Sequence, residues 1–129
     1  YEAVCGAGRM HGYVCAPALL QYTIANTLGI TSDMNYYAKN RDLLYSALVS
    51  YGYECIRPEG AFYLFMKALE ADANIFCERA KKHELILVPS DDFYYPGYVR
   101  ISYCVPFSRV EKSLPAFKAL IKEYSETKE

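Results

Sequence analysis

The residue of this sequence best placed to do chemistry is Arg100. It sits within Tyr98-Val99-Arg100-Ile101-Ser102-Tyr103-Cys104, where Val99, Ile101 and Tyr103 alternate with Arg100 and Ser102. Alternation of period two marks a strand with one packed face, so Arg100 belongs to the face opposite the apolar one. A guanidinium held on a rigid strand presents a planar fork that matches a carboxylate through two parallel hydrogen bonds. No local counter-ion competes for it: its nearest carboxylates in sequence are Asp92 and Glu111, whereas seven charged residues crowd the stretch from Glu70 to Glu84. On composition alone, a small domain showing an arginine to solvent accounts for Arg100 equally well.

Other reactive residue types are arranged less suggestively. Asp91 and Asp92 are adjacent, hence on opposite faces if extended, and read as a turn instead of an acid/base pair. Ser102 has no histidine placed to activate it as a nucleophile. His11 and His83 are the only histidines, and neither has a second ligand at metal spacing, so no metal site is expected. The five cysteines, Cys5, Cys15, Cys55, Cys77 and Cys104, are widely separated and form no C-x-x-C pair. They read as buried, reduced thiols of a cytoplasmic protein, not as a disulfide framework. The run from Glu78 to Glu84 reads as a solvated helix face.

The elements that must position Arg100 are legible in outline. Residues 1–13 carry Gly6, Gly8 and Gly12 and are expected to form a loose start. A helix is expected from Pro17, with Leu20, Ile24 and Leu28 at four-residue spacing and Gly29 as its cap. Ser32 or Asp33 then caps a long helix to Tyr51 whose apolar side runs Tyr37, Leu44, Ala47, Leu48 and Tyr51, with Gly52 ending it. Residues 53–56 and 61–66, around Pro58 and Gly60, read as strand, turn, strand. Asp72 caps a helix carrying Ile75, Phe76, Ala80 and His83 on one side. Leu85-Ile86-Leu87-Val88 reads as a strand stopped by Pro89, and residues 98–104 as the last strand. Ser108 and Glu111 have capping-box spacing ahead of a final helix, with a kink or restart expected at Pro115. The fold class is therefore α/β of the α+β type: a small, mostly antiparallel sheet of about three to four strands covered by helices, with a long helix leading in.

Composition bounds the function. The 129 residues fit one domain; 53% are apolar and 22% charged, and the net charge is −1. Fourteen basic and 15 acidic residues are mixed along the chain, leaving no electrostatic footprint for nucleic acid or an anionic membrane surface. No apolar run approaches the length of a membrane span, and no basic segment precedes an apolar one in the manner of a secretory signal. A first residue of Tyr, not Met, leads us to expect a piece of something longer. Fourteen tyrosines without a tryptophan are expected along the core margin and an interface, ring inside and hydroxyl wet.

Taken in order, several stretches resemble the second half of class I/II aminotransferases of the aspartate-aminotransferase fold type. Pro58-Glu59-Gly60-Ala61-Phe62 looks like the family's P-x-G-x-F, and Leu85-Ile86-Leu87-Val88-Pro89 like the approach to its V-x-P-G-x-x-F. Gly97-Tyr98-Val99-Arg100-Ile101-Ser102 looks like its strand carrying R-I/L-S/A. Ala16 to Gln21 and Arg41 to Leu44 are similar to helices entering the family's small domain. The resemblance covers residues 14–124 and implies a C-terminal small domain over 14–129. It implies that Arg100 binds the α-carboxylate of an amino-acid or 2-oxo-acid substrate and that Phe62 lies on the active-site wall. It further implies pyridoxal phosphate in the full-length enzyme, a separate cofactor domain and a homodimer. Two departures stand out. Ser90 replaces the glycine of Pro-Gly, so the turn after it is expected to differ. Gly8-Arg9-Met10-His11-Gly12-Tyr13 echoes the family's G-x-R-x-G-Y only out of register, with Met10 in the arginine's place. The Schiff-base lysine motif and the aspartate for the cofactor's ring nitrogen are absent, so this chain alone is expected to bind no cofactor and to be non-catalytic. A carbon–sulfur lyase or decarboxylase of the same fold, and a non-catalytic amino-acid-binding module, stay open at this point.

Overall fold

The long helix expected after Ser32 forms, and Asp33 starts it. In the computed structural model, which describes residues 1–126, the Asp33 carboxylate accepts the Tyr36 N–H at 3.1 Å. The chain divides into two compact units, the first being Tyr1–Ser32 and the second beginning at Asp33.

In the first unit, α1 spans Glu2–Met10 and α2 spans Ala18–Asn26. The expected loose start is thus helical over most of residues 1–13, because the glycines are too few to overcome the intervening helix formers. Neither helix contains a buried residue; Leu20, Ile24 and Leu28 are all more than half exposed. Thr27, not Gly29, follows the last turn of α2.

In the second unit the order is α3 (Met34–Tyr51), β1 (Cys55–Ile56), β2 (Tyr63–Lys67), α4 (Ala73–Lys81), β3 (Val88–Pro89), β4 (Tyr98–Ser102) and α5 (Phe107–Glu126). The four strands form one sheet in the order β1-β2-β4-β3, with every pairing antiparallel. Leu64, Met66 and Val99 are fully buried on one face of β2 and β4. They join Leu48 of α3, Phe76 and Ala80 of α4, and Phe117 and Leu120 of α5 in a single core. Within this unit α3, α4 and α5 pack on that face of the sheet.

Several boundaries differ from the sequence reading for identifiable reasons. Strand β3 pairs over Val88 and Pro89 only, while Leu85 and Leu87 turn into the core. Pro89 is itself the last residue of β3, which lies at the sheet edge, where a missing N–H is tolerated. On α4 the buried residues are Ala73, Phe76, Cys77 and Ala80, while Ile75 is half exposed. Helix α5 begins at Phe107, placing Ser108 inside its first turn, and it runs on through Pro115 without a restart. Its N-terminus is capped from another element: the Phe107 N–H donates to the Tyr36 hydroxyl oxygen at 2.8 Å. Ser90 has φ −92°, a conformation open to any residue, so the turn does not need the glycine it lacks. Among the cysteines Cys77 is buried, Cys5 and Cys55 are half-buried, and Cys15 and Cys104 are exposed, which corrects the expectation of buried thiols.

Candidate functional site

The open face of the sheet is built by the residues that alternate with the core. On β2 these are Tyr63, Phe65 and Lys67; on β4 they are Tyr98, Arg100 and Ser102. The register sets Phe65 opposite Arg100 on one side and Val88 opposite it on the other. Arg100 therefore projects from the central part of the sheet, where both neighbouring strands fix its backbone.

Its guanidinium lies between aromatic rings. The Cζ atom is 4.2 Å from the centre of the Tyr63 ring and 3.9 Å from that of Phe93. Tyr63 comes from β2, whereas Phe93 closes the 3-10 turn Asp91–Phe93 that follows β3, so the two rings approach from opposite neighbours of β4. Each ring presents the negative face of its quadrupole to the cation. Among the described residues, Arg100 has no carboxylate within 4.0 Å and its side chain makes no hydrogen bond. A half-buried guanidinium that rests on two rings and makes no hydrogen bond of its own among the described residues keeps its N–H groups for a planar anion.

Around it the face is apolar. Phe65, Tyr95 and Tyr98 form a chain of ring contacts, with centroids 6.1 and 4.6 Å apart. Ile56, Phe65, Phe93 and Tyr95 line a shallow hollow of about 320 Å³ beside Arg100. Another hollow, of about 270 Å³, lies between the 85–87 segment and α5 and does not include Arg100. The one lysine among these strand residues, Lys67, is 2.8 Å from Glu54, and that hydrogen bond raises its pKa.

Phe62 lies one residue before β2, 40% exposed, its ring 4.6 Å from that of Tyr63. The sequence reading singled out Phe62 and missed Tyr63 and Phe93, the two rings in contact with Arg100. The tyrosine is recoverable from alternation along β2, but which strand lies beside β4 is not written in any local pattern. Asp91 and Asp92 form a turn as expected. Ser102 Oγ lies 3.0 Å from Cys104 Sγ, with no histidine in that contact. His83 Nε2 is 2.8 Å from Glu123 on α5. Among the described residues no cluster of three or more His, Cys, Asp or Glu could hold a metal ion, and no helix is long and apolar enough to cross a membrane.

The helix-covered antiparallel sheet, with an arginine on its open face and P-x-G-x-F and V-R-I-S segments leading to it, is of the aspartate-aminotransferase fold. Residues 7–117 match the family model of class I and II aminotransferases, and the chain belongs to that family. It is 30% identical over 107 residues to an aspartate aminotransferase of Thermotoga maritima, covering 81% of this chain and 28% of that protein. It is 27% identical to the aromatic-amino-acid aminotransferase 2 of Thermococcus litoralis, covering 89% of this chain and 33% of that protein. The crystal structure of an amino transferase from Eubacterium rectale overlays with a TM-score of 0.88 at 54% identity, over 96% of this chain and 31% of that one. The structure of the Thermotoga maritima aspartate aminotransferase overlays with a TM-score of 0.77 at 28% identity. The chain thus spans about a third of the length of these relatives.

The family is pyridoxal-phosphate-dependent, and the open face of β2 and β4 offers that cofactor no unpaired lysine: its one lysine, Lys67, is bonded to Glu54 at 2.8 Å. Arg9, the arginine nearest the family's phosphate-binding position, lies in the last turn of α1.

Proposed function

We propose that this chain is the C-terminal, substrate-gripping domain of a pyridoxal-phosphate-dependent aminotransferase, with Arg100 binding the α-carboxylate of the amino-acid or 2-oxo-acid substrate. The observation that carries the reading is the Arg100 guanidinium: ring-stacked on Tyr63 and Phe93, and free of any carboxylate among the described residues. Such a group has paid part of its desolvation to the rings and keeps its hydrogen-bonding edges for a ligand. Two parallel N–H···O bonds fix a carboxylate in the plane of the fork. That fixes the direction of the adjacent Cα–H bond, an orientational contribution to rate. Phe62, exposed at the rim beside Tyr63, forms part of the wall against which the substrate rests. The cofactor and its lysine belong to a part of the protein outside this chain, and bound pyridoxal phosphate supplies the electron sink for the transfer. On this reading the present segment is non-catalytic alone, and the full-length enzyme is a cytoplasmic homodimer.

The test is Arg100→Lys in the full-length protein, assayed on an amino acid and on the matching decarboxylated amine. Lysine keeps the charge and loses the two-pronged geometry. Charge-assisted hydrogen bonds contribute about 1.5–3 kcal/mol, so kcat/KM for the amino acid should fall roughly ten- to hundred-fold. The amine offers no carboxylate, so its poor rate should stay nearly unchanged. Equal loss on both compounds, or no loss on either, overturns the reading.

A further inference from the structure

We infer that Tyr63 and Phe93 are positioning residues that hold the Arg100 fork in its carboxylate-binding plane, so that substrate affinity depends on two rings that need not touch the substrate. The inference rests on the reading of Arg100 given above and extends it to the residues that set its geometry.

A free arginine side chain has four rotatable bonds, and an unrestrained fork must be immobilised when a carboxylate arrives. Here the restraint is already in place. With Cζ 4.2 Å from one ring centre and 3.9 Å from the other, the guanidinium is held against two ring faces, one delivered by β2 and one by the turn after β3. Neither ring offers an acceptor atom in its face, so the stack orients the cation without consuming a hydrogen bond.

The backbone beside each ring carries an independent mark of the same design. Among the described residues three non-glycine residues have φ in the left-handed region, and two of them adjoin this site: Ala61 at φ 57°, two residues before Tyr63, and Tyr94 at φ 57°, directly after Phe93. Non-glycine residues persist in that conformation where surrounding bonds over-determine it. At Ala61 the carbonyl accepts the Tyr103 hydroxyl at 2.9 Å. At Tyr94 the N–H donates to the Asp91 carbonyl at 3.0 Å, and the next N–H, of Tyr95, donates to Ser90 at 3.1 Å. Tyr94 is 95% exposed, so the packing of its own side chain does not set its conformation; the left-handed residue closes the 3-10 turn through those two hydrogen bonds, and that closed turn is what delivers Phe93.

A double-mutant cycle in the full-length protein tests this. Tyr63→Leu and Phe93→Leu should each lower kcat/KM for the amino acid about three- to ten-fold, chiefly through KM, and leave the decarboxylated amine within about two-fold. Tyr63→Phe and Phe93→Tyr, which keep the ring, should restore the parent values. In an Arg100→Lys background the leucine substitutions should have little further effect, because the fork they orient is gone. Leucine effects of the same size in both backgrounds, or equal on amine and amino acid, mean that the rings are structural and overturn the inference while leaving Arg100 in its role. No change from either leucine variant overturns it as well. Phe93 lies on an exposed turn, so its variants fold even if those of Tyr63 do not, and that arm alone decides. If Arg100→Lys itself has no effect, it is the underlying reading that falls.

Discussion

Two polar side chains of this domain, Arg100 and Asn40, were unequally visible in the sequence, and the difference is physical. Arg100 interrupts an alternating apolar pattern, so its face could be assigned before its partners were known. Asn40 is fully buried on α3, yet it falls where the apolar period was expected to carry a hydrophobe, and it was not singled out. Its Nδ2 donates to the carbonyl oxygens of Tyr103 at 2.9 Å and Val105 at 2.7 Å, tying α3 to the chain leaving β4. Those carbonyls end a strand and have no ladder partner, a long-range need that no local pattern announces. Asn40→Ala strands the Tyr103 carbonyl in the core and leaves that of Val105 only the Tyr36 hydroxyl at 3.4 Å; it should cost about 1–3 kcal/mol, read as a fall in urea midpoint at unchanged slope. A loss below about 0.5 kcal/mol would show that water replaces the amide without penalty.

At the scale of elements, helix ends were easier to read than strand ends. Asp33, Asp72 and Gly52 sit where their residue types place them, because a cap is a local bargain between one side chain, or one absent Cβ, and the nearest orphan backbone groups. Strands β1 and β3 are two residues each, and how far each pairs with a neighbour distant in sequence is not encoded in its own residues. The Tyr36 cap on α5 was illegible for the same reason: donor and acceptor are 71 residues apart. Two substitutions with opposite signs test the account of the caps. Gly52 has φ 100°, and a Cβ there would meet Ile121 at an ordinary 3.6 Å. Gly52→Ala should therefore lose about 1 kcal/mol from backbone conformation alone. Glu84, in the turn that follows α4, has φ 60° and a side chain where glycine would be relaxed. Glu84→Gly should gain roughly 0.5 kcal/mol, the strain relieved being partly offset by a freer unfolded chain. Thermal midpoints should move in opposite directions.

For the whole molecule, the pH dependence of stability follows from which ionised forms the fold favours. Four carboxyls lie below their ordinary range: Asp42 through its hydrogen bond to Arg41, Glu54 through Lys67, Asp72 through the Asn74 N–H, and Glu123 through His83. A depressed folded pKa contributes stability above the unfolded value and loses it as pH falls. The thermal midpoint should hold down to about pH 5 and decline below about pH 4. At the other end, burial pushes the Tyr124 hydroxyl and the Cys55 thiol up to about 12, and the Tyr53 hydroxyl higher still. Those raised values make stability full below the unfolded range and erode it as pH climbs past about 9. A midpoint that stays flat to pH 3 would remove the carboxylates from this account. The sheet's class, its helical cover and the site arginine were legible in the sequence, since alternation and caps encode them. Of the two rings that rest on Arg100, Tyr63 was not, because its place beside β4 depends on strand order, and Phe93 stands at the last position of the V-x-P-G-x-x-F pattern without that pattern telling what it touches.

The uneven burial of the five thiols makes them a set of clocks. Cys15 and Cys104 are exposed, so a small alkylating reagent should modify them at the rate of a free thiol. Cys77, inside the core with Phe76 and Ala80, should react only when α4 leaves the sheet. Cys55 on the edge strand, half-buried, should follow the fraying of β1. The spread in modification rates under native conditions thus orders the openings of the fold from edge to centre. A Cys77 that reacts as fast as Cys55 would mean that the helical cover and the sheet edge come apart together.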